Sequence, residues 1–534
     1  MSIAAKLKGY LDFLFPVRSS EFKKFLPMFF MNFFLTINYN LLKTIKDSII
    51  VSAAGAEAIP FIKVWVMFPM AVFMTAFFTF LSQKYSQKRV FYTLMSIFLV
   101  SIGSFLIILF PLREIFFLHS VAQKLSGILP SGLHGLIEVV RYWPLAIFYT
   151  MAELWGSIVL FVLFWGFANR AIGIEEAKRF YPLFGVAANS SGFFAPHIFL
   201  WAADNPTFFD LPFLATSWEK SLFLMGWVVL AAGVISIAIF WWLENNVFTK
   251  ESNELAFAKS SSKKKMGFFE SIQYLLKFKY IRNMAIIVIV YNISINLTEV
   301  IWKGEVHKLC PDPKDFGSYM SQVMIVTSLL AIFSDLFISS NLIRKFGWTT
   351  TAMITPIVIL VTSIIFFAFL IFDLPYESNI AAIFGVSMLS LSTFFGSLQN
   401  VFARASKYSL FDVSKEIAFI PLDNDAKMRS KAAIDGVGSR LGKSGGAVIL
   451  QGLFLFVGNL SASFVYVAFA LGSLLSFWCI AVLKLGRQFK ELTSSEPDNT
   501  LGNKNNQEAQ TSAISESDAL VNNPDAMKKA FNAL

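Results

Sequence analysis

Charged residues are scarce in this sequence: Asp, Glu, Lys and Arg together make up 15% of its 534 residues. Soluble domains carry charge on about a quarter of their residues, so this scarcity argues against an ordinary soluble fold. Cysteine is nearly absent, and Cys310 and Cys479 do not indicate a disulfide framework. Only four histidines occur, without an evident metal-ligand cluster among them. We therefore expect neither a bound metal nor a cofactor.

Apolar residues are abundant instead, because 56% of the chain is hydrophobic and 60 residues are phenylalanine. A run of about 20 apolar residues crosses a hydrocarbon core of about 30 Å as a helix. About twelve such runs occur, at 25–45, 60–82, 90–111, 143–168, 179–201, 221–243, 283–303, 316–338, 347–372, 378–402, 432–457 and 461–484. The sequence therefore predicts an all-α polytopic membrane protein with about twelve transmembrane helices.

The loops indicate how the chain lies in the membrane. Lysine and arginine recur in the loops on one side, at 84–89, 170–179, 344–345 and 427–431. Cytoplasmic loops carry such an excess, so we expect this side and both termini to face the cytosol. The formal net charge of +10 fits this distribution, and it indicates the lipid bilayer rather than nucleic acid as a partner.

A charged polar segment divides the predicted spans six and six. We expect a cytosolic N-terminus, an N-terminal six-helix half, a cytosolic linker, a C-terminal six-helix half and a disordered cytosolic tail, at 1–24, 25–243, 244–282, 283–485 and 486–534. Two six-helix halves resemble the major-facilitator architecture, in which substrate binds between the halves near the middle of the membrane. We expect such a chain to act as a monomer.

Charges inside the first and fourth predicted spans have two interpretations. Lys43 and Lys46 lie near the external end of the first span, where lysines either extend to the lipid headgroups or contact an anionic solute. Asp47 beside Lys46 favours a structured polar site. Glu153 lies well inside the fourth span and needs a cation, a proton or a ligand donor. It either joins two helices through an ion pair or belongs to a binding site.

The seventh predicted span carries the clearest polar stripe. Asn292, Asn296, Glu299 and Lys303 recur at helical spacing and so share one face. This face either lines a polar cavity, where the amides hydrogen-bond a ligand, or forms a polar seam between helices. The fifth span contains Asn189 in NSSGFFAP, a Gly/Pro-interrupted segment that indicates either a binding region or close helix packing.

Lys443 and its neighbour Arg440 lie at the start of the eleventh predicted span. The stretch GSRLGKSG superficially resembles a phosphate-binding loop, but Val437 occupies the position of its first glycine and no strand precedes it. A charged side chain at membrane depth must face protein, water or a ligand rather than lipid. We therefore interpret Lys443 as a mobile point charge for a phosphate group.

Five segments together resemble one known family: LLKTIKDSIIVSAAGAEAIPFIKVW, MAELWGSIVLFVLFWGFANR, ISINLTEVIWK, KYSLFDVSKEIAFIPLD and KAAIDGVGSRLGKSGGA. They are similar to the ATP/ADP translocases of intracellular bacteria and plastids, and the chlamydial carriers in particular. The resemblance covers roughly residues 20–485, with ordered motifs in both halves. The plastid members' long transit extension is absent, which favours a bacterial inner membrane.

The resemblance implies a secondary transporter that exchanges external ATP for internal ADP, with phosphate, and not an enzyme. The family's functionally important charges match Lys46, Glu153, Glu299 and Lys443. In the hypothesis that follows, the two lysines neutralise the polyphosphate, and the two glutamates compensate them in the empty carrier. Alternatives are a proton-coupled nucleotide importer and, more remotely, a membrane-embedded enzyme acting on nucleotides or lipids.

Overall fold

The structure, a computed structural model, describes residues 17–208, 214–248, 268–334, 340–371, 385–422 and 424–494. All regular secondary structure in this part of the chain is helical. Twelve long helices within these ranges are labelled in chain order α1 (Phe22–Ala54), α2 (Ala58–Lys84), α3 (Gln87–Leu109), α4 (Trp143–Ala171), α5 (Ile174–Asp204), α6 (Ser217–Asn246), α7 (Lys279–Leu309), α8 (Pro313–Ser334), α9 (Ser340–Ile371, interrupted by a kink at Gly347), α10 (388–418), α11 (424–457) and α12 (Phe464–Ser494).

The prediction of an all-α polytopic membrane protein is confirmed. Ten of the helices in the described part are long and apolar enough to cross a membrane. The other two, α10 and α11, correspond to the tenth and eleventh predicted spans and hold many serines, glycines and charged residues. Helix α10 begins at Met388 rather than at 378: residues 378–384 of the predicted span lie outside the described residues, and 385–387 are not helical.

Some of the predicted segments also lie wholly or partly outside the described residues: 1–16 of the N-terminus, 249–267 of the linker and 495–534 of the tail. The rest of the linker includes a short helix, Phe268–Lys277. By its internal contacts the chain divides into a large unit, Met1–Leu485, and a second unit, Gly486–Leu534. All helices that build the site below belong to the large unit.

Helix ends follow local chemistry. Gly55 ends α1 with φ 73° and Gly458 ends α11 with φ 93°, a conformation that glycine adopts without steric cost. Helix α6 begins with a capping box, in which the Thr216 hydroxyl accepts from the Glu219 N–H at 3.2 Å. Because successive helices reverse direction, Gly55 and Gly458 mark one side of the molecule, called the Gly55 side. The opposite side is called the Lys84 side.

We call α1–α6 the N-terminal half and α7–α12 the C-terminal half, after their positions before and after the linker, and each set of helices packs along its own members. In the N-terminal half, α1 lies between α5 and α6, and the buried Asn38 amide donates to the Val229 carbonyl of α6 at 2.9 Å. In the C-terminal half, α7 packs on α11, and the Trp302 indole donates to Ser397 of α10 at 3.0 Å. Apolar side chains such as Phe469, 79% exposed, point away from these cores, as expected of a surface that faces lipid.

The two halves meet through α2 with α11 and α5 with α8. Near Gly55, the Gln451 amide donates to the Pro60 carbonyl at 2.9 Å and accepts from the Trp65 indole at 3.1 Å. The Glu57 carboxylate accepts from the Leu460 N–H at 2.8 Å. We call this set of contacts the closed end, because it joins the halves on the Gly55 side.

Candidate functional site at the interface of the halves

Helix α1 positions two neighbouring buried charges near the middle of the interface. Lys46 and Asp47 are 3% and 0% exposed, and the Lys46 Nζ lies 3.0 Å from Asp47 Oδ1. The ammonium also lies over the Tyr149 ring, 3.9 Å from its centroid. A buried cation is tolerated only where opposite charge or a ring face compensates it. Lys46 therefore does not extend to lipid headgroups; it is part of a built polar site.

Helix α4 supplies the second carboxylate for Lys46. Glu153 Oε2 lies 3.2 Å from Lys46 Nζ, and its side chain keeps 26% of its surface exposed. The Trp155 indole donates to the Leu35 carbonyl of α1 at 3.0 Å, which fixes α4 against α1. Gly156 allows this approach, because a Cβ there would lie 2.7 Å from the Tyr39 ring. Of the two interpretations of Glu153, the ion pair between helices is thus formed.

Helix α7 carries the matching charges of the C-terminal half. Glu299 pairs with Lys303 one turn later at 2.8 Å, and the Arg404 guanidinium of α10 approaches the same carboxylate at 2.9 Å. Lys303 also reaches across the interface, where its Nζ lies 2.8 Å from Asp47 Oδ2. The stripe predicted on this helix therefore faces the opposite half and α10, and it is not exposed to lipid.

These contacts form one chain of alternating charges, which we call the central network. Its members, in order, are Glu153, Lys46, Asp47, Lys303, Glu299 and Arg404. Three carboxylates face three cations, so the network is neutral. Its single bond between the halves is Asp47 to Lys303, and each half keeps the remaining pairs to itself.

A second link between the halves runs through Asn296 of α7. Its Oδ1 accepts from the Lys63 Nζ of α2 at 2.7 Å, and its Nδ2 donates to the Lys443 carbonyl of α11 at 2.5 Å. Helices α7 and α11 approach closely here because Gly442 and Gly446 have no side chains; a Cβ on Gly446 would lie 2.9 Å from the Asn296 Cβ. The Lys443 side chain is exposed at this point.

The other predicted site residues lie around this centre without joining the network. Asn292 donates to the Val288 carbonyl of its own helix at 2.8 Å. Asn189 is half-buried on α5, two residues from Ser191, whose hydroxyl accepts from the Asn40 amide at 2.9 Å. Arg440 is exposed, and within the described ranges it forms no ion pair.

Sequence reasoning missed Lys63 and Arg404 as site residues. Lys63 lies close to the start of the second predicted span, and Arg404 follows the predicted end of the tenth by two residues. Both are charges next to long apolar runs, which is the signal that identified Lys46 and Glu153. The hypothesis from the sequence also assigned Glu153 and Glu299 as the carboxylates that compensate Lys46 and Lys443 in the empty carrier. In the structure, Glu299 pairs with Lys303 and Arg404.

Irregular helical turns lie next to several of the charged site residues. The backbone widens to π-helix at 62–67, 155–164, 407–411 and 432–438, beside or around Lys63, Glu153, Arg404 and the start of the Lys443 segment. A fifth such segment, Phe105–Leu109, lies in an apolar part of α3. π-Helical turns are rare and often occur at functional sites. In the described part of the chain, no group of three or more His, Cys, Asp or Glu could hold a metal ion.

Comparison with known proteins agrees with this architecture. The chain is 40% identical over 484 residues to the ADP,ATP carrier protein 1 of Chlamydia pneumoniae, covering 90% of this chain and 93% of that protein. It is 38% identical over 485 residues to the chloroplastic ADP,ATP carrier protein 2 of Arabidopsis thaliana, covering 90% of this chain and 77% of that protein.

Solved structures support the fold alone. A bacterial homologue of the iron transporter ferroportin in an inward-facing state matches with a TM-score of 0.55 at 12% identity, over 86% of this chain and 99% of that one. A bacterial metal transporter matches with a TM-score of 0.50 at 11% identity, over 86% of this chain and 97% of that one.

The model of the TLC ATP/ADP transporter family matches residues 2–489. This chain therefore belongs to the TLC ATP/ADP transporter family.

Proposed function

We propose that this protein is an antiporter that exchanges external ATP for internal ADP by alternating access. The observation that carries the proposal is an exposed cation, Lys443, beside a neutral charge network at the interface of two six-helix halves. A compact ammonium on a flexible stem suits a phosphate group. The carrier names of the relatives, and the family to which the chain belongs, support the same substrate class.

The phosphate chain of the nucleotide binds at Lys443 and competes with carboxylates for the cations of the central network. Lys46 is then available to the phosphates only when Glu153 or Asp47 releases it, and Glu299 acts through Lys303 and Arg404. We assign the amides of Asn292, Asn296 and Asn189 to the ribose or base, because an amide both donates and accepts hydrogen bonds. Arg440 is a further candidate for the phosphates.

Exchange follows from the bond between Asp47 and Lys303. Separating the halves at this point in an empty carrier leaves Asp47 with Lys46 alone and Lys303 with Glu299 alone, so each buried charge loses one of its two partners, which is costly. A bound polyphosphate supplies new partners for the cations and lowers that cost. The empty carrier therefore reorients slowly and the loaded carrier rapidly.

We place the protein in a bacterial inner membrane as a monomer, with both termini and the Lys84 side in the cytosol, since the basic loops lie on that side. The closed end then faces outward, and nucleotide reaches the site from the cytosol in this conformation. ATP carries about one more negative charge than ADP, so exchange moves net charge unless phosphate accompanies ADP.

The test is transport by the purified protein in liposomes. We expect labelled ATP to enter liposomes loaded with ADP and to be recovered intact, with little entry into empty liposomes. Phosphate is then added inside the liposomes together with ADP. If a membrane potential no longer alters the rate of ATP entry under this condition, phosphate is transported together with ADP. Uptake into empty liposomes under an imposed pH gradient would instead support the proton-coupled importer. Recovery of hydrolysed or transferred product would support an enzyme.

The matched variant is Lys443→Ala, compared with Lys484→Ala, which removes an exposed lysine from α12. Losing a charge-assisted contact with phosphate weakens binding by about 1.5–3 kcal/mol, so we expect the KM for ATP to rise by about tenfold or more. Lys484→Ala is expected to transport normally. Unchanged exchange by Lys443→Ala would remove Lys443 from the site.

A further inference from the structure

Three lysines near the centre of the interface stand outside the central network: Lys43, Lys63 and Lys443. In the part of the chain that the structure describes, none of them has a carboxylate oxygen within 4.0 Å. Lys43 lies one turn before Lys46 on α1, and Lys63 lies in the π-helical turn of α2. Both are half-buried, so neither is simply hydrated at the surface.

The lysines surround the network closely enough to interact with it electrostatically. The Glu153 carboxylate interacts through space with Lys63 and Lys443, and Glu299 interacts with Lys43 and Lys63. The three lysines come from α1, α2 and α11, and all of them lie within electrostatic range of the carboxylates of the central network.

The charges of this region do not balance. Six basic side chains, namely the three lysines with Lys46, Lys303 and Arg404, face three carboxylates, namely Asp47, Glu153 and Glu299. Half-buried ammonium groups such as those of Lys43 and Lys63 destabilise a folded protein unless an anion binds to them. An excess of three basic groups matches a nucleoside di- or triphosphate far better than a nucleoside or a monophosphate.

Lys63 has an uncharged partner that an anion can readily displace. Its hydrogen bond to Asn296 Oδ1, at 2.7 Å, satisfies one of its three donors and leaves its charge uncompensated. The same amide donates to the main-chain carbonyl of Lys443, so one side chain holds both the Lys63 ammonium and the backbone from which the Lys443 side chain extends. A phosphate bound beside Asn296 can accept from Lys63 and from the flexible Lys443 side chain.

We propose that Lys43 and Lys63 bind the phosphate chain of the nucleotide together with Lys443, as a site shared by the two halves. This inference rests on the proposed function and names the residues that select polyphosphates within it. The competing interpretation gives Lys63 a purely structural role, in which it only joins the halves through Asn296.

The experiment measures binding of ATP and of AMP to the purified full chain, together with its melting temperature without ligand. For Lys63→Met we expect the Kd for ATP to rise about tenfold or more and the Kd for AMP to change little, because fewer phosphate contacts are lost. The melting temperature without ligand should not fall, since an uncompensated cation has been removed. Lys63→Arg keeps the charge and should retain most of the ATP affinity.

Three comparisons make the result decisive. Lys84→Met removes an exposed lysine at the other end of α2 and should leave the affinities for ATP and for AMP unchanged.

Under the structural interpretation, Lys63→Met and Asn296→Ala lower the melting temperature by the same amount. Any loss of affinity is then equal for ATP and AMP, and that result overturns the proposal. Lys43→Met carries the same expectation as Lys63→Met if the latter does not fold. Wild-type protein that binds ATP but does not exchange it would contradict the proposed function and not this inference.

Discussion

The closed end and the central network, two of the places where the halves meet, are built from different chemistry. At the closed end, most of the contacts are hydrogen bonds of neutral groups: the Gln451 amide, the Pro60 carbonyl and the Trp65 indole. In the central network, the contact is a buried ion pair between Asp47 and Lys303. Exchanging a neutral hydrogen bond for water costs about 0.5–1.5 kcal/mol, whereas leaving one buried charge unpaired costs about 3–5 kcal/mol.

This difference suggests separate roles for the two regions. Contacts that exchange easily with water suit an end that opens and closes in every transport cycle. A contact that is costly to break without a replacement partner suits the place where substrate decides whether the cycle proceeds. Three substitutions test the comparison, and they differ in the size of the expected effect.

Asp47→Asn should have the largest effect, because Asp47 compensates both Lys46 and Lys303. We expect the variant to lose about 3–5 kcal/mol of stability and most of its exchange activity. Unfolding in detergent measures the loss of stability, and ATP uptake into ADP-loaded liposomes measures the loss of exchange activity. Lys303→Met is the matched control: Asp47 then keeps Lys46, and Glu299 keeps Arg404, so the loss should be smaller. Equal losses would show that the network does not act through Asp47.

Gln451→Leu should have an intermediate effect, because it removes two hydrogen bonds of the closed end. We expect the closed end to open about tenfold more often, which corresponds to about 1.4 kcal/mol. The reporter is Ala56→Cys, a buried position nearby, in a background without Cys310 and Cys479. Its modification by a membrane-impermeant maleimide should become faster. An unchanged rate would mean that these bonds do not hold the end closed.

Lys431→Gln should have the smallest effect. Its Nζ lies 2.6 Å from Glu416 Oε2, a shorter distance than in any pair of the network, but both side chains are 47% exposed. Exposed ion pairs contribute about 0–1 kcal/mol, because water and salt compensate both charges. We expect exchange to be unchanged and stability to shift by less than about 1 kcal/mol. A loss as large as that of Asp47→Asn would show that burial does not set how much an ion pair contributes to stability.

Much of the architecture was predictable because it depends on local sequence. Hydropathy over about 20 residues identifies a membrane helix whatever its neighbours are, and ten of the twelve predicted spans correspond to helices of the described ranges that are long and apolar enough to cross a membrane. Helical periodicity likewise placed Asn296, Glu299 and Lys303 on one face of α7. The prominence of Lys46, Glu153 and Glu299 followed from the cost of charge in an apolar segment.

What the sequence determined by itself is therefore the class of protein, its helices and the positions of the costly charges. Only the tertiary structure decided which charges compensate one another. Lys46 and Lys443 look alike in the sequence, yet Lys46 is buried between two carboxylates, whereas Lys443 is exposed and has no carboxylate partner among the residues that the structure describes. The physical reason is that an ion pair depends on distances of a few ångströms between helices remote in sequence. Those distances arise from packing, such as that of Gly446 against Asn296, which no local pattern records.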